Sequence, residues 1–245
     1  TSVKDSLSIL SRITISCNWL LTDTDGNIGY QQSGLLPNRK HSGLFPLPGY
    51  HSENCWDGIC STEKLARVFN PPEGYLVTAN NDLNQDGKPL SINMPMGKYR
   101  ANRIETLLKN TDLLDIDDMM EIHKDLYSLQ AKKIINLISP YIKNSGKAEL
   151  INKWDLRYDK NSIGATIFED LYRELIIEIF GGECFGKDVM RHLLDKTSVI
   201  ADYYYNFDKI LLAEDYENSH LWFKGNRADT IKSIVLNFIE KLDIN

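Results

Sequence analysis

Two rhythms of apolar and polar positions divide this chain. In residues 1–99 the apolar runs are short and separated by turn residues. "ITISCNWLLTD" followed by "TDGNIGYQQSG" has apolar stretches on both sides of Asp25-Gly26 and predicts a hairpin with a tight turn. "GYLVTA" (74–79) predicts a further strand, which stops at the amide pair Asn80-Asn81. Between them, "LLPNRKHSGLFPLPGY" (35–50) carries too many prolines and glycines for regular structure and reads as a long ordered loop.

From residue 100 onward the period becomes helical. "DIDDMMEIHKDLYSLQAKKIINLI" places apolar side chains at 116, 119, 120, 126, 134 and 138 behind an acidic first turn. "SIGATIFEDLYRELIIEIFGG" carries the broadest apolar stripe, at 163, 167, 168, 171, 172, 175, 176, 179 and 180. Asn161 or Ser162 can cap it and Gly181-Gly182 is expected to stop it. "GKDVMRHLLDK" and "ADTIKSIVLNFIEKL" predict two more helices. Strands first and helices afterwards define an α+β chain, with a strand- and loop-rich segment at 1–99 and a helical segment at 100–245. No internal repeat or low-complexity tract interrupts either.

Composition narrows the function classes. With 245 residues, 42% hydrophobic and 25% charged, the chain has the make-up of a globular protein with a sizeable core. The net charge is −6 and the Lys and Arg are scattered among acids, which argues against an extended nucleic-acid surface. No apolar run approaches the roughly 20 residues of a membrane span, and "TSVKDSLSIL" has no signal-peptide character. Cys17, Cys55, Cys60 and Cys184 give no zinc spacing. They read as buried thiols first, although "CWDGIC" brings Cys55 and Cys60 close enough in sequence to pair.

The candidate chemistry is sparse. His41, His51, His123, His192 and His220 include none beside a Ser or Cys in a nucleophile setting, and His123 falls on an apolar helix side, as core histidines do. "GGECFG" follows a helix rather than a strand and reads as a connector, not a phosphate loop. "DLNQDGKPLSIN" puts Asp82, Asn84 and Asp86 at calcium-loop positions. Asn93 stands where that loop needs a bidentate Glu, and Pro89 and a strand replace its flanking helices. These three are weak metal candidates. Tyr203, Tyr204 and Tyr205, an aromatic cluster before a helix, read as core first and as the lining of an acyl pocket second.

Taken together, "NWLLTDTDGNIGYQQSGLLPNR", "WDGI", "NPPEGYLVTANN", "YRANRIETLL" and "WDLRYDKNSIGATIFEDL" resemble, in order, the central part of the β chain of the penicillin amidase family of N-terminal nucleophile hydrolases. The resemblance runs from about residue 18 to about residue 180. It implies amide hydrolysis by the first residue of the β chain, whose free α-amine acts as base for its own side chain. It makes Asn80 an oxyanion-hole donor and Arg100 the residue that supports it. Asp125 and Ser128 match common family types and are expected to orient a helix against the sheet.

The same resemblance places the nucleophile upstream of this sequence. Thr1 does not fit the part, because the family's nucleophile opens a buried strand and "TSVKDSLSIL" is polar and helix-like. The chain is then expected to be a central piece of a larger acylase, inactive by itself, with the remainder of its precursor (α chain and early β chain) as partner. The substrate would be an amide with an apolar acyl group. No cofactor is required, although members of the family bind calcium, and most are exported. The competing expectation is a non-catalytic helical binding or scaffold module that keeps the family fold.

Overall fold

The structure is a computed structural model that describes residues 2–41, 46–83, 96–110, 113–142, 146–212, 222–223 and 225–243, the side chains of 183 and 199–203 excepted. It is an α+β chain of two compact units, residues 1–101 and 102–245.

In the first unit, helix α1 (Val3–Leu10) starts at Ser2, whose hydroxyl accepts from the Asp5 amide. A three-stranded antiparallel sheet comes next, in the order β1 (Cys17–Thr22), β2 (Ile28–Ser33), β3 (Arg67–Phe69). The β1–β2 register runs from Cys17↔Ser33 to Thr22↔Ile28, which makes the predicted hairpin. Helix α1 packs on β2, where Gly29 leaves the room. A Cβ at Gly29 would stand 2.5 Å from Val3 Cγ1. Asp23 ties these pieces together. Its carboxylate accepts from the amides of Val3, Asp25 and Asn27 and from Asn27 Nδ2. Those bonds, the Val3 amide first, hold its pKa below the usual carboxylate value.

The expected strand at 74–79 does not form; the segment has no regular secondary structure. The sheet edge on β2 is taken by β3, a three-residue strand too short to stand out in the sequence. Within the loop at 35–50, residues 42–45 lie outside the described ones. Its first part is pinned by a bridge between Pro37 and Ile59 and by the Asn38 amide donating to the Gly58 carbonyl. All four cysteines are free thiols.

The second unit is helical among the described residues. Helix α2 (Tyr99–Lys109) crosses the boundary, with Tyr99, Arg100 and Ala101 in the first unit. The helical pattern predicted over 115–138 is two helices, α3 (Ile116–His123) and α4 (Leu129–Ile142). Asp115 opens α3 through a reciprocal capping box with Asp118. The break at 124–128 has a cause. Tyr127 pairs with Arg157 as a β-bridge, the Tyr158 amide donates to Leu126 O, the Ser128 amide donates to Leu156 O, and Ser128 Oγ caps α4 at Ala131. Backbone groups that a continuous helix would use are thus spent on a second strand-like segment. The apolar face of α3 consequently stays outside: Ile116 is 80% exposed and His123 is exposed rather than a core histidine.

Short α5 (Glu149–Asn152) leads to α6 (Ile163–Phe180), the centre of the core. Ser162 caps it at the Ala165 amide. Every position of its predicted stripe is buried except Ile163. The α-helix ends at Gly181, its C-cap; a π-turn, Gly181–Phe185, follows and breaks at Gly186, whose φ of +84° suits only glycine without strain. Helices α7 (Lys187–Lys196), α8 (Val199–Leu212) and α9 (Arg227–Lys241) complete the unit. Residues 203–205 lie inside α8, not before a helix. The core joins Ile134 and Ile138 of α4, Phe168, Leu171 and Leu175 of α6, Met190 of α7, Leu211 of α8 and Ile231 and Val235 of α9. One carboxylate sits within it. Asp208, fully buried, accepts from Tyr172 Oη at 2.7 Å and Gln130 Nε2 at 3.0 Å and so ties α8 to α6 and α4.

The described partners of Asp125 lie in the helical unit. Arg103 grips it with Nε at 2.7 Å and Nη2 at 3.1 Å, and Arg157 Nη1 adds a contact at 3.3 Å. Arg103 also lies over the Tyr127 ring at 4.6 Å. The Arg103 hydrogen bonds, with both guanidinium charges, hold the Asp125 carboxyl below the usual range against the opposing effect of burial. Its folded pKa is below the unfolded one, so its contribution to stability is present above the ordinary carboxylate value and lost as pH falls through the folded value. Asp125→Asn should cost about 2–3 kcal/mol near neutral pH. By denaturant titration, that difference from the parent should shrink steadily below about pH 4; a pH-independent difference would contradict the charge-based account.

Candidate active site

The amide pair at 80–81 sits at a bend after the irregular segment 74–79. Asn80 has φ +63°, a left-handed conformation that Asn tolerates better than most residues. Asn81 turns back and accepts from the Ala79 amide at 3.1 Å. Asn80 is exposed while Ala79 beside it is buried. The segment is therefore rooted at 79 and presents its next side chain outward.

Arg100, on the first turn of α2, reaches this bend. Its Nη2 donates to Asn80 Oδ1 at 2.7 Å and to the Ala79 carbonyl at 2.7 Å, with Met96 Sδ at 3.4 Å. The Met96 amide donates to the Asn80 carbonyl at 2.9 Å. A guanidinium has donors and no acceptor, so the atom it meets on Asn80 must be the carboxamide oxygen. That contact decides the direction of the amide: Oδ1 faces Arg100 and the NH₂ group faces away. Among the described residues, Nδ2 donates to no protein group. The two residues singled out in the sequence, twenty positions apart, are thus brought into direct contact.

On the other side the segment meets the sheet. Asn18 Nδ2 donates to Thr78 Oγ1 at 3.3 Å, and Asn18 Oδ1 accepts from Tyr30 Oη at 2.7 Å. Tyr30 is buried, and burial, then the nearby Asp82 charge, pushes its pKa up to about 12. Sequence reading missed Tyr30, Asn18 and Thr78. Their spacing along the chain carries no motif, and only the strand register brings them together.

Of the metal candidates, Asp82 is described, while Asn84 and Asp86 lie outside the described residues. Among the described residues no group of three or more His, Cys, Asp or Glu gathers as a metal site would. No described helix is long and apolar enough to cross a membrane. Two grooves open on the helical unit, of about 350 and 360 Å³, and neither is lined by Asn80 or Arg100. Tyr204 and Tyr205 are half-buried on α8. The Tyr204 carbonyl accepts from Tyr172 Oη at 3.3 Å, and Lys209 lies over the Tyr205 ring, so both have structural neighbours.

Comparison with known proteins places this two-unit α+β chain in a family. The chain belongs to the penicillin amidase family, which it matches over residues 1–241. It is 32% identical over 171 residues to the penicillin acylase 2 proenzyme of Pseudomonas sp. (strain SE83), a match covering 66% of this chain and 22% of the proenzyme. It is 30% identical over 112 residues to the penicillin G acylase of Escherichia coli, covering 44% of this chain and 13% of that protein. An acyl-homoserine lactone acylase of Pseudomonas fluorescens is 32% identical over 122 residues, or 49% of this chain and 15% of that protein. A thermostable penicillin G acylase from Alcaligenes faecalis shares the fold, with a TM-score of 0.67 at 17% identity over 96% of this chain and 48% of the acylase chain. The chain therefore spans about a fifth of the length of the first of these relatives.

The Tyr30 environment makes a direct prediction. A phenol whose pKa is raised on folding contributes stability that is complete below the unfolded value of about 10 and is lost as pH rises toward the folded value. In alkaline titration, the difference between the parent chain and Tyr30→Phe in the phenolate absorption band should show no step near pH 10, only one close to 12. A step at the unperturbed value would mean that Tyr30 is not held as described.

Proposed function

We propose that this chain forms part of an amidase that hydrolyses a carboxylic amide with an apolar acyl group, and that Asn80 supplies a donor to its oxyanion hole. The reading rests above all on the 2.7 Å bond from Arg100 to Asn80 Oδ1. Attack on an amide carbonyl turns its oxygen into an alkoxide-like anion. A donor already aimed at that place lowers the barrier without reorganising during the reaction. Nδ2 of Asn80 is such a donor, with its partner oxygen already committed. The Arg100 charge on the far side also draws electron density toward Oδ1, which makes the N–H a better donor.

The nucleophile is proposed to be an N-terminal residue with its own α-amine as base, contributed by another part of the same precursor. Two observations support this. Residues 3–10 form a helix, whereas the family's nucleophile opens a buried strand. The relatives are also several times longer than the span they share with this chain. Thr1 itself lies outside the described residues. Such chemistry needs no metal or cofactor. The named relatives act as penicillin acylases or as acyl-homoserine lactone acylases, so the substrate class proposed here stops at an amide with an apolar acyl group.

In the full-length protein, assayed with a phenylacetyl-amide chromogen and a fatty-acyl amide, Asn80→Ala should lower kcat by roughly 10²–10³-fold. Asn80→Gly accepts φ +63° without strain and separates loss of the amide from backbone effects. It should be as slow as the alanine variant. A parental rate in both would remove Asn80 from the chemistry and leave a scaffold that keeps the family fold. The 245-residue chain alone should be inactive; hydrolysis by it, abolished by Thr1→Ala, would overturn the assignment of the nucleophile.

A further inference from the structure

We propose that Tyr30, Asn18 and Thr78 form a positioning chain that fixes the Asn80 carboxamide from the sheet side. The proposal rests on the reading of Asn80 as an oxyanion donor. The fold itself creates the need for such a chain. Residues 74–79 make no strand ladder, so backbone pairing does not set their place. Arg100 and the Met96 amide hold the bend at Ala79 and Asn80 from one side. Asn18 holds it from the other, through Thr78, two residues before the donor.

The strand register brings the members of the chain together. Asn18 pairs with Gln32 in the β1–β2 register, so Tyr30 is its diagonal cross-strand neighbour on the same sheet face. Tyr30 Oη donates at 2.7 Å to Asn18 Oδ1. This commits the oxygen and leaves Nδ2 as the group that faces Thr78, at 3.3 Å from its hydroxyl. The Tyr30 and Thr78 hydroxyls can each donate or accept, so it is the place of the Asn18 amide between the two that links Tyr30 to Thr78. Tyr30 is only 3% exposed and remains a neutral donor throughout the working range of pH, so its own end of the chain is rigid. Donors in an oxyanion hole lose effect when displaced by a fraction of an ångström. An anchor two residues away is therefore felt in kcat before it is felt in substrate binding.

The test uses the full-length protein and the same amide chromogen. Thr78→Val keeps the shape and removes the acceptor; Asn18→Ala removes the link; Tyr30→Phe releases the Asn18 amide. Each should lower kcat about 3- to 10-fold with KM little changed, while Thr78→Ser, which keeps the hydroxyl, should restore the parental rate. On an Asn80→Ala background the same substitutions should have no further effect, because there is no longer a carboxamide to place. Parental kcat in Thr78→Val and Asn18→Ala, or losses that multiply in full onto Asn80→Ala, overturns the positioning chain while leaving the oxyanion reading intact. A parental rate in Asn80→Ala itself overturns both. Tyr30→Phe, a buried change of one hydroxyl, keeps the test valid where a larger truncation weakens folding.

Discussion

A guanidinium can only donate, and this constraint orders the first unit around Asn80. Once Arg100 Nη2 lies 2.7 Å from a terminal atom of the carboxamide, that atom is oxygen and the amide has one orientation. The same nitrogen also takes the Ala79 carbonyl, so one cation fixes a side chain and the backbone behind it. An exposed asparagine on an unpaired segment would otherwise sample both amide orientations at little cost. Here the first turn of α2 removes that freedom, and the outward aim of Nδ2 depends on its removal.

The two units solve different problems. The helical unit buries a broad stripe along α6 and draws α4, α7, α8 and α9 onto it, with the Asp208 and Asp125 carboxyl groups as fasteners. Its stability comes from area, and its polar groups are mostly capped or paired. The first unit has a smaller core, around Val3, Leu7, Tyr30 and Leu36. It compensates with specific polar ties. Asp23 binds α1 to the hairpin, Ser33 accepts from Trp19 Nε1 and donates to Ile15 O, and Asn18 reaches Thr78. Such ties set positions more than they add stability, which suits a surface where one amide must point in one direction.

How far each feature was legible in the sequence depended on how local its signal is. The stripe on α6, its Ser162 cap and the hairpin at 17–33 depend on residues within a few positions of one another, and they appear as expected. The contact of Asn80 with Arg100 was legible only through the family resemblance, since no local rule joins residues twenty apart across a loop. Other features were decided at long range. The helical pattern over 115–138 broke because Tyr127 and its neighbours pair with the segment around Arg157, thirty residues later. The apolar run at 74–79 had the composition of a strand but joins no ladder, and the short β3 pairs with β2 instead. Gly181 ends the α-helix as its local signal suggests, while the π-turn after it and the left-handed turn at Gly186 had no such signal.

The identity of residue 80 can be argued from two demands that meet there. The backbone at φ +63° favours Gly, Asn and Asp over other residues. The neighbouring guanidinium needs an acceptor, which excludes Gly. A donor directed outward excludes Asp, whose ionised carboxylate only accepts and would also repel a developing oxyanion. Gln carries the right groups on a longer, looser side chain without Asn's tolerance of the left-handed region. Asn alone meets the conformation, the acceptor and the donor at once. Residue 80 is thus constrained by local backbone geometry, by one cation and by the proposed chemistry, and the three requirements together leave one side chain.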